Sequence, residues 1–123
     1  MIVGLGIDVV ELDRVKSAYE NFGHRFVSRI LTQREVQLLP ENPVAYLASR
    51  FAVKEAGVKA LGTGFSQGIT LKHLEVAKDR KGPVQLIFSG PARSRFEFLG
   101  GRKIHLSLSH GRDTAVAVVV LER

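Results

Sequence analysis

The spacing of the apolar residues changes along the chain, and that change confines the fold. Up to Leu61 they recur every three or four positions, as Leu12, Val15, Tyr19 and Phe22, then Leu47, Phe51, Val58 and Leu61. That is the period of helices with one face in a core. Later, Ile104-His105-Leu106-Ser107-Leu108-Ser109 alternates apolar with polar at every step, and residues 114–121 are a β-branched run. These have the period and composition of strands. Helices packed on antiparallel β-strands make an α+β domain. The final run is apolar on both faces and calls for cover by a helix layer or a neighbouring subunit.

One strand precedes the helices. Ile2-Val3-Gly4-Leu5-Gly6-Ile7 reads as a buried strand whose glycines admit close approach of another backbone. A helix is expected from about Val9, stopped by Gly23. Thr32-Gln33-Arg34-Glu35 has the form of a capping box for a short helix ending near Pro40. After a loop over 40–43, a long helix is expected over 44–61, stopped by Gly62-Thr63-Gly64. Residues 73–78 and 84–88 read as strands joined by the turn Asp79-Arg80-Lys81-Gly82-Pro83. Pro91 opens a short helix to Leu99, closed by Gly100-Gly101. His110-Gly111-Arg112-Asp113 turns the last hairpin.

A chain of 123 residues reads as a single domain over residues 1–123. It has no cysteine, which excludes a disulfide framework, a thiolate metal site and a cysteine nucleophile. The apolar start (1–7) is short, holds two glycines and lacks a basic leader, unlike a signal peptide. The run 115–121 is far too short to cross a bilayer, so a cytoplasmic protein without membrane association is expected. Eighteen Lys and Arg against twelve Asp and Glu leave a net charge of +6. Such a surplus implies an acidic partner, whether phosphate, nucleic acid, membrane surface or protein.

Three places could carry chemistry. Asp8 lies between an apolar strand and a helix. It either caps that helix, with Glu11 completing a box, or turns its carboxylate to a cation in a cleft. Glu55, four residues after Phe51 and three before Val58, lies on the apolar stripe of the long helix, where a carboxylate needs a partner. Lys59, one turn on, offers an ordinary ion pair. The alternative is that Glu55 and Asp8 meet at one divalent cation, magnesium by the chemistry of oxygen-only ligands, with Lys54 and Lys59 as phosphate clamps. Gly62-Thr63-Gly64 reads as a plain C-cap or as a small anion nest. In Ser107-Leu108-Ser109-His110, no glycine elbow or placed acid supports a serine nucleophile. His110 is either a phosphate donor or a surface histidine.

Together these segments resemble the stand-alone 4′-phosphopantetheinyl transferases of the holo-acyl-carrier-protein synthase type, nearly end to end. The likeness rests on Gly4-Leu5-Gly6-Ile7-Asp8-Val9-Val10-Glu11, on Arg50-Phe51-Ala52-Val53-Lys54-Glu55-Ala56 with Lys59-Ala60-Leu61-Gly62-Thr63-Gly64, and on Leu106-Ser107-Leu108-Ser109-His110. It implies that family's fold and the magnesium-dependent transfer of 4′-phosphopantetheine from coenzyme A to a serine of apo acyl carrier protein. The product is adenosine 3′,5′-bisphosphate, and the reaction supports fatty acid biosynthesis. It implies Asp8 and Glu55 as metal ligands, Glu55 and Lys59 as catalytic, and Lys59 and His110 on the coenzyme A phosphates and nucleotide. Arg50 and Gly62-Thr63-Gly64 fall where the family holds the nucleotide. Arg14, Arg25, Phe26 and Arg29 match the surface that receives the acidic carrier protein, and a homotrimer with active sites between subunits is implied. The base is left open between Glu55 and a metal-bound water. Thr114 stands where the family often has a tyrosine.

Two rival classes are a basic nucleic-acid-binding module and a metal-dependent phosphohydrolase acting on a nucleotide. The first explains the charge but not a glutamate on an apolar stripe, and it asks for exposed aromatics. Seven Phe, two Tyr and no Trp fall mostly at core-like spacings, so no nucleic-acid partner is expected.

Overall fold

The computed structural model describes residues 1–78 and 82–123. The order is β1 (Ile2–Glu11), α1 (Leu12–Phe22), α2 (His24–Ile30), α3 (Gln33–Gln37), α4 (Val44–Leu61), a 3-10 turn (Leu71–His73), β2 (Leu74–Lys78), β3 (Val84–Phe88), α5 (Gly90–Phe98), β4 (Lys103–His110) and β5 (Thr114–Glu122). β1, β5 and β4 form one antiparallel sheet in that order, and β2 and β3 form a second. The expected α+β architecture is present. The expected turn at Asp79-Arg80-Lys81 lies outside the described residues. Among the described residues no helix is long and apolar enough to cross a membrane.

α4 is the hub. It lies on the inner face of the three-stranded sheet, against Ala115, Ala117, Val119 and Leu121 of β5, all fully buried. Small residues make that approach close. A Cβ at Gly6 would fall on the Ala56 carbonyl oxygen, and one at Gly4 on the Ala60 carbonyl oxygen. On the other side Gly57 faces Leu74, Leu86 and Phe88 of the second sheet. The helix is therefore buried around most of its circumference, not along one stripe: Leu47, Ala48, Ala52, Val53, Ala56, Val58, Ala60 and Leu61 are all core.

Three expectations are corrected. β1 runs on to Glu11, and α1 starts at Leu12 with no side-chain cap. Asp8 therefore caps nothing and sits mid-strand opposite Ala117. At Gly23 (φ +51) the chain breaks the helix and starts a second one, α2. His110 belongs to β4, opposite Ala115, rather than to the turn. The capping box of α3 is present as expected: the Glu35 amide donates to Thr32 Oγ1, and the Thr32 amide to Glu35 Oε1 at 2.8 Å.

β5 meets half of its demand for cover. Its inner residues are buried under α4, but Val116, Val118 and Val120 stay half-buried on the outer face. Beside them on β1, Leu5, Ile7 and Val9 are 64%, 56% and 59% exposed.

Candidate active site

Residue parity along β1 places Gly4, Gly6, Asp8 and Val10 on the face toward α4. Because Gly6 lets the backbones of β1 and α4 touch, Asp8, two residues on, is delivered to the flank of α4. There Lys59 Nζ donates to Asp8 Oδ1 at 2.8 Å and to the Ile7 carbonyl at 3.1 Å. The hydrogen bond and charge of Asp8 raise the Lys59 pKa, so this ammonium is firmly cationic.

Glu55 lies one helical turn before Lys59. Lys59 does not pair with it: the lysine is bonded to Asp8, and among the described residues the Glu55 carboxylate has no hydrogen bond or ion pair. Burial raises its pKa first, the Asp8 charge adds to that, and the Lys59 charge opposes both. Two carboxylates crowded at the edge of a core form a hard oxygen donor set that fits magnesium. Among the described residues no group of three or more His, Cys, Asp or Glu converges. Water and phosphate oxygens would complete the shell, which is how magnesium usually binds.

The pair sits where two clefts adjoin. Glu55 and Phe26 line both of them. One, of about 380 Å³, also holds Asp8, Glu11, Arg14 and Phe51. The other, about 960 Å³, runs between α2 (Arg25, Ser28, Arg29) and a wall of Phe65, Ile69, Leu71 and Lys72. Its other charged side chains are all basic.

Arg50 and His110 lie elsewhere. Both line a cleft of about 360 Å³ with Tyr46, Ser49 and Lys78. The Arg50 guanidinium stacks on the Tyr46 ring with 4.0 Å to the centroid, and among the described residues its buried Nε has no partner. Asp8 is on β1 and His110 on β4, the two outer strands of the sheet. Two strand spacings and two residues of offset separate them by about 12 Å along the sheet, with α4 across the gap.

A family model described as the 4′-phosphopantetheinyl transferase superfamily matches residues 4–119, a span that includes Asp8, Glu55, Lys59 and His110. The chain belongs to the 4′-phosphopantetheinyl transferase superfamily. Within it, the chain is similar to the holo-[acyl-carrier-protein] synthase of Maridesulfovibrio salexigens, 54% identical over 124 residues with 100% of both chains covered. The crystal structure of holo-[acyl-carrier-protein] synthase from Neisseria meningitidis matches with a TM-score of 0.90 at 39% identity, covering 100% of both chains. A holo-(acyl-carrier-protein) synthase from Bacillus anthracis, in complex with CoA (3′,5′-ADP), matches with a TM-score of 0.81 at 37% identity. That match covers 98% of this chain and 96% of the other.

Two readings of the residues meet a different geometry. Lys54 is no phosphate clamp. It is 0% exposed, and its ammonium donates to Glu35 Oε1 and to the Ile30 carbonyl, both at 2.6 Å. Burial lowers its pKa, while the Glu35 charge opposes that. The second concerns Gly62-Thr63-Gly64, where two of the three amides serve the C-cap. Gly62 (φ +77) and Gly64 (φ +59) turn their amides back to the carbonyls of Lys59 (3.0 Å) and Val58 (3.3 Å). The docking set is brought together, with Arg14 beside the Asp8 cleft and Arg25, Phe26 and Arg29 along the larger one. Thr114 faces Glu11 across the β1–β5 ladder, and its carbonyl accepts from the Gly111 amide at 2.9 Å.

Sequence reasoning missed Phe22 and Phe65, 58% and 41% exposed at the larger cleft. Phe22 continues the helical apolar spacing of α1, so spacing alone assigns it to the core. It also missed Tyr46, which shelters Arg50. A four-residue separation is the available signal there, since positions i and i+4 meet on one helix face.

Proposed function

We propose that this chain transfers the 4′-phosphopantetheine arm of coenzyme A to a serine hydroxyl of an apo acyl carrier protein, releasing adenosine 3′,5′-bisphosphate. In that role it supports fatty acid biosynthesis. The observation that carries the reading is the meeting of Asp8, Glu55 and Lys59, from segments about fifty residues apart, where a small carboxylate-lined cleft adjoins a larger basic one. The names of its relatives and the CoA of the Bacillus anthracis complex point to the same substrates.

Asp8 and Glu55 would hold magnesium, which when bound supplies positive charge to the diphosphate and its departing half. Lys59, kept cationic by Asp8, lies where it steadies the equatorial oxygens of the phosphoryl group in transfer. The serine oxygen forms a bond to the phosphorus on the pantetheine side. In line with it, the bond from that phosphorus to the bridging oxygen breaks, and adenosine 3′,5′-bisphosphate leaves with the electron pair. The serine proton passes to Glu55 or to a water beside the two carboxylates. Arg25, Phe26 and Arg29 receive the carrier protein, whose acidic surface complements the +6 chain.

Arg50 and His110 hold the nucleotide, and the site is shared between subunits of a homotrimer. Two observations support this. The Arg50–His110 cleft shares no lining residue with the clefts at Asp8 and Glu55, so one chain presents its nucleotide and diphosphate contacts on separate surfaces. The outer face of β1 and β5 also leaves Leu5, Ile7 and Val9 bare, a surface that a second and third copy would bury. The glycine turn at 62–64 then serves as an unencumbered wall beside Lys59.

The test is a transfer assay with coenzyme A, magnesium and an apo carrier protein, read as a rise in carrier mass of one phosphopantetheine arm. No rise refutes the reading. A rise undiminished by Glu55→Gln refutes the site.

A further inference from the structure

Resting on that reading, we propose that buried Lys54 and Glu35 are positioning residues that hold the carrier-receiving helix α2 in register with the Glu55 carboxylate. Lys54 precedes Glu55 by one residue, so the two side chains leave α4 about 100° apart. Glu55 turns to the clefts, and Lys54 turns inward to the place where α2 ends. There its ammonium takes the carbonyl of Ile30, the last residue of α2, and Glu35 Oε1. Glu35 also accepts the Thr32 amide on Oε1 and the Val76 amide of β2 on Oε2 at 2.9 Å. Thr32 Oγ1 donates to Glu75 at 2.6 Å. Four elements, α2, α3, α4 and β2, are thus tied at one point with each charge paired.

A buried ion pair is poor evidence of net stability, because apolar residues of similar size often do as well. What such a pair fixes is geometry. The other end of α2 is Gly23, at φ +51, and a Cβ there would meet nothing within 4 Å. α2 has the Gly23 turn at its start and the Lys54 pin at its end, and the docking residues Arg25, Phe26 and Arg29 lie between. The pin therefore indexes the carrier's approach against the carboxylate that must meet its serine. Of the coenzyme A contacts, Lys59 and Arg50 lie on α4, which the two sheets hold as well as the pin, and His110 lies on β4.

The experiment compares Lys54→Met, Glu35→Gln and the apolar double variant Lys54→Met/Glu35→Leu with the parent full-length chain. It measures the KM for apo carrier, the KM for coenzyme A, and hydrogen exchange at the amides of α2 and of α4. The expected result is a rise in carrier KM of about five- to tenfold at unchanged coenzyme A KM. Exchange should quicken over residues 24–30 but not over 55–61. Exchange requires no turnover, so a parent without transferase activity refutes the preceding section while this readout still decides the pin. An unchanged carrier KM in a folded double variant overturns the proposal. So does a parallel loss of carrier KM, coenzyme A KM and kcat that follows the folded fraction. Failure of all three variants to fold overturns it as well, since the pair would then be a requirement of the fold rather than of docking.

Discussion

Gly6→Ala is the sharpest test of how the active site is assembled, because it adds one methyl group at the point where strand and helix touch. The added Cβ falls on the Ala56 carbonyl oxygen and close to the Ala60 amide, both main-chain atoms in the C-terminal half of α4. No side chain can rotate away, so β1 and α4 must separate by more than about 1 Å to restore ordinary van der Waals contact. Overpacking of this kind costs about 1–3 kcal/mol. For a chain of this length that is a fall in melting temperature of roughly 4–12 °C. The catalytic cost is larger, because Asp8 rides on β1 and Glu55 on α4. A misplacement on the order of 1 Å between reacting groups lowers turnover about 100-fold. Gly57→Ala is the control. Its Cβ meets the ends of the Leu74 and Leu86 side chains, which can give way, on the side of α4 away from Asp8. That variant should lose some stability and keep turnover within about threefold, an effect below 1 kcal/mol on the barrier. The assays are thermal denaturation and steady-state transfer at a temperature where both variants are folded. Parent-like turnover in Gly6→Ala refutes the reasoning, as does an equal loss in both variants.

Three further outcomes are expected. Burial and the Asp8 charge raise the Glu55 pKa, so between its unfolded and folded values the native state binds more protons than the unfolded one. That stabilisation is complete below the ordinary glutamate pKa and is lost as pH rises through the raised one. Glu55→Gln should therefore flatten the pH–stability profile of the metal-free protein above the ordinary glutamate range, while abolishing transfer by roughly 10²–10⁴-fold; a profile identical to the parent's speaks against the assigned environment. The KM for apo carrier should climb with salt, and Arg25→Ala with Arg29→Ala should both raise it and blunt its salt dependence, measured at low and physiological ionic strength. Mixing inactive Glu55→Gln with inactive Arg50→Ala under conditions of subunit exchange should restore part of the activity. No recovery in demonstrably mixed oligomers refutes a site divided between subunits.

What the sequence made legible follows from which constraints are local. The capping box at Thr32 and Glu35, the stop at Gly62 and the alternation of β4 are decided by neighbours within four residues. Each stands where its spacing puts it. Local pattern left Asp8 open between two roles, since a carboxylate before a helical pattern with a glutamate three residues on has every mark of a cap. The strand continues because Asp8 to Glu11 pair with 114–117 of β5, a long-range ladder that outweighs a local cap. Lys54 was misread for the opposite reason. A lysine off the apolar stripe reads as solvent-facing only if the helix has a solvent side, and α4 is packed by a sheet on one side and by β2 and β3 on the other. The glycines supplied the missing information. Gly4 and Gly6 are spaced for one face of a strand, and Ala56 and Ala60 for one face of a helix. Matching small residues across two elements mark where backbones touch, and a touching point is where a side chain just beyond it can be aimed most rigidly. Asp8 stands two residues past Gly6 and Glu55 one before Ala56. The same close approach that costs the chain side chains in its core is what brings its two carboxylates together.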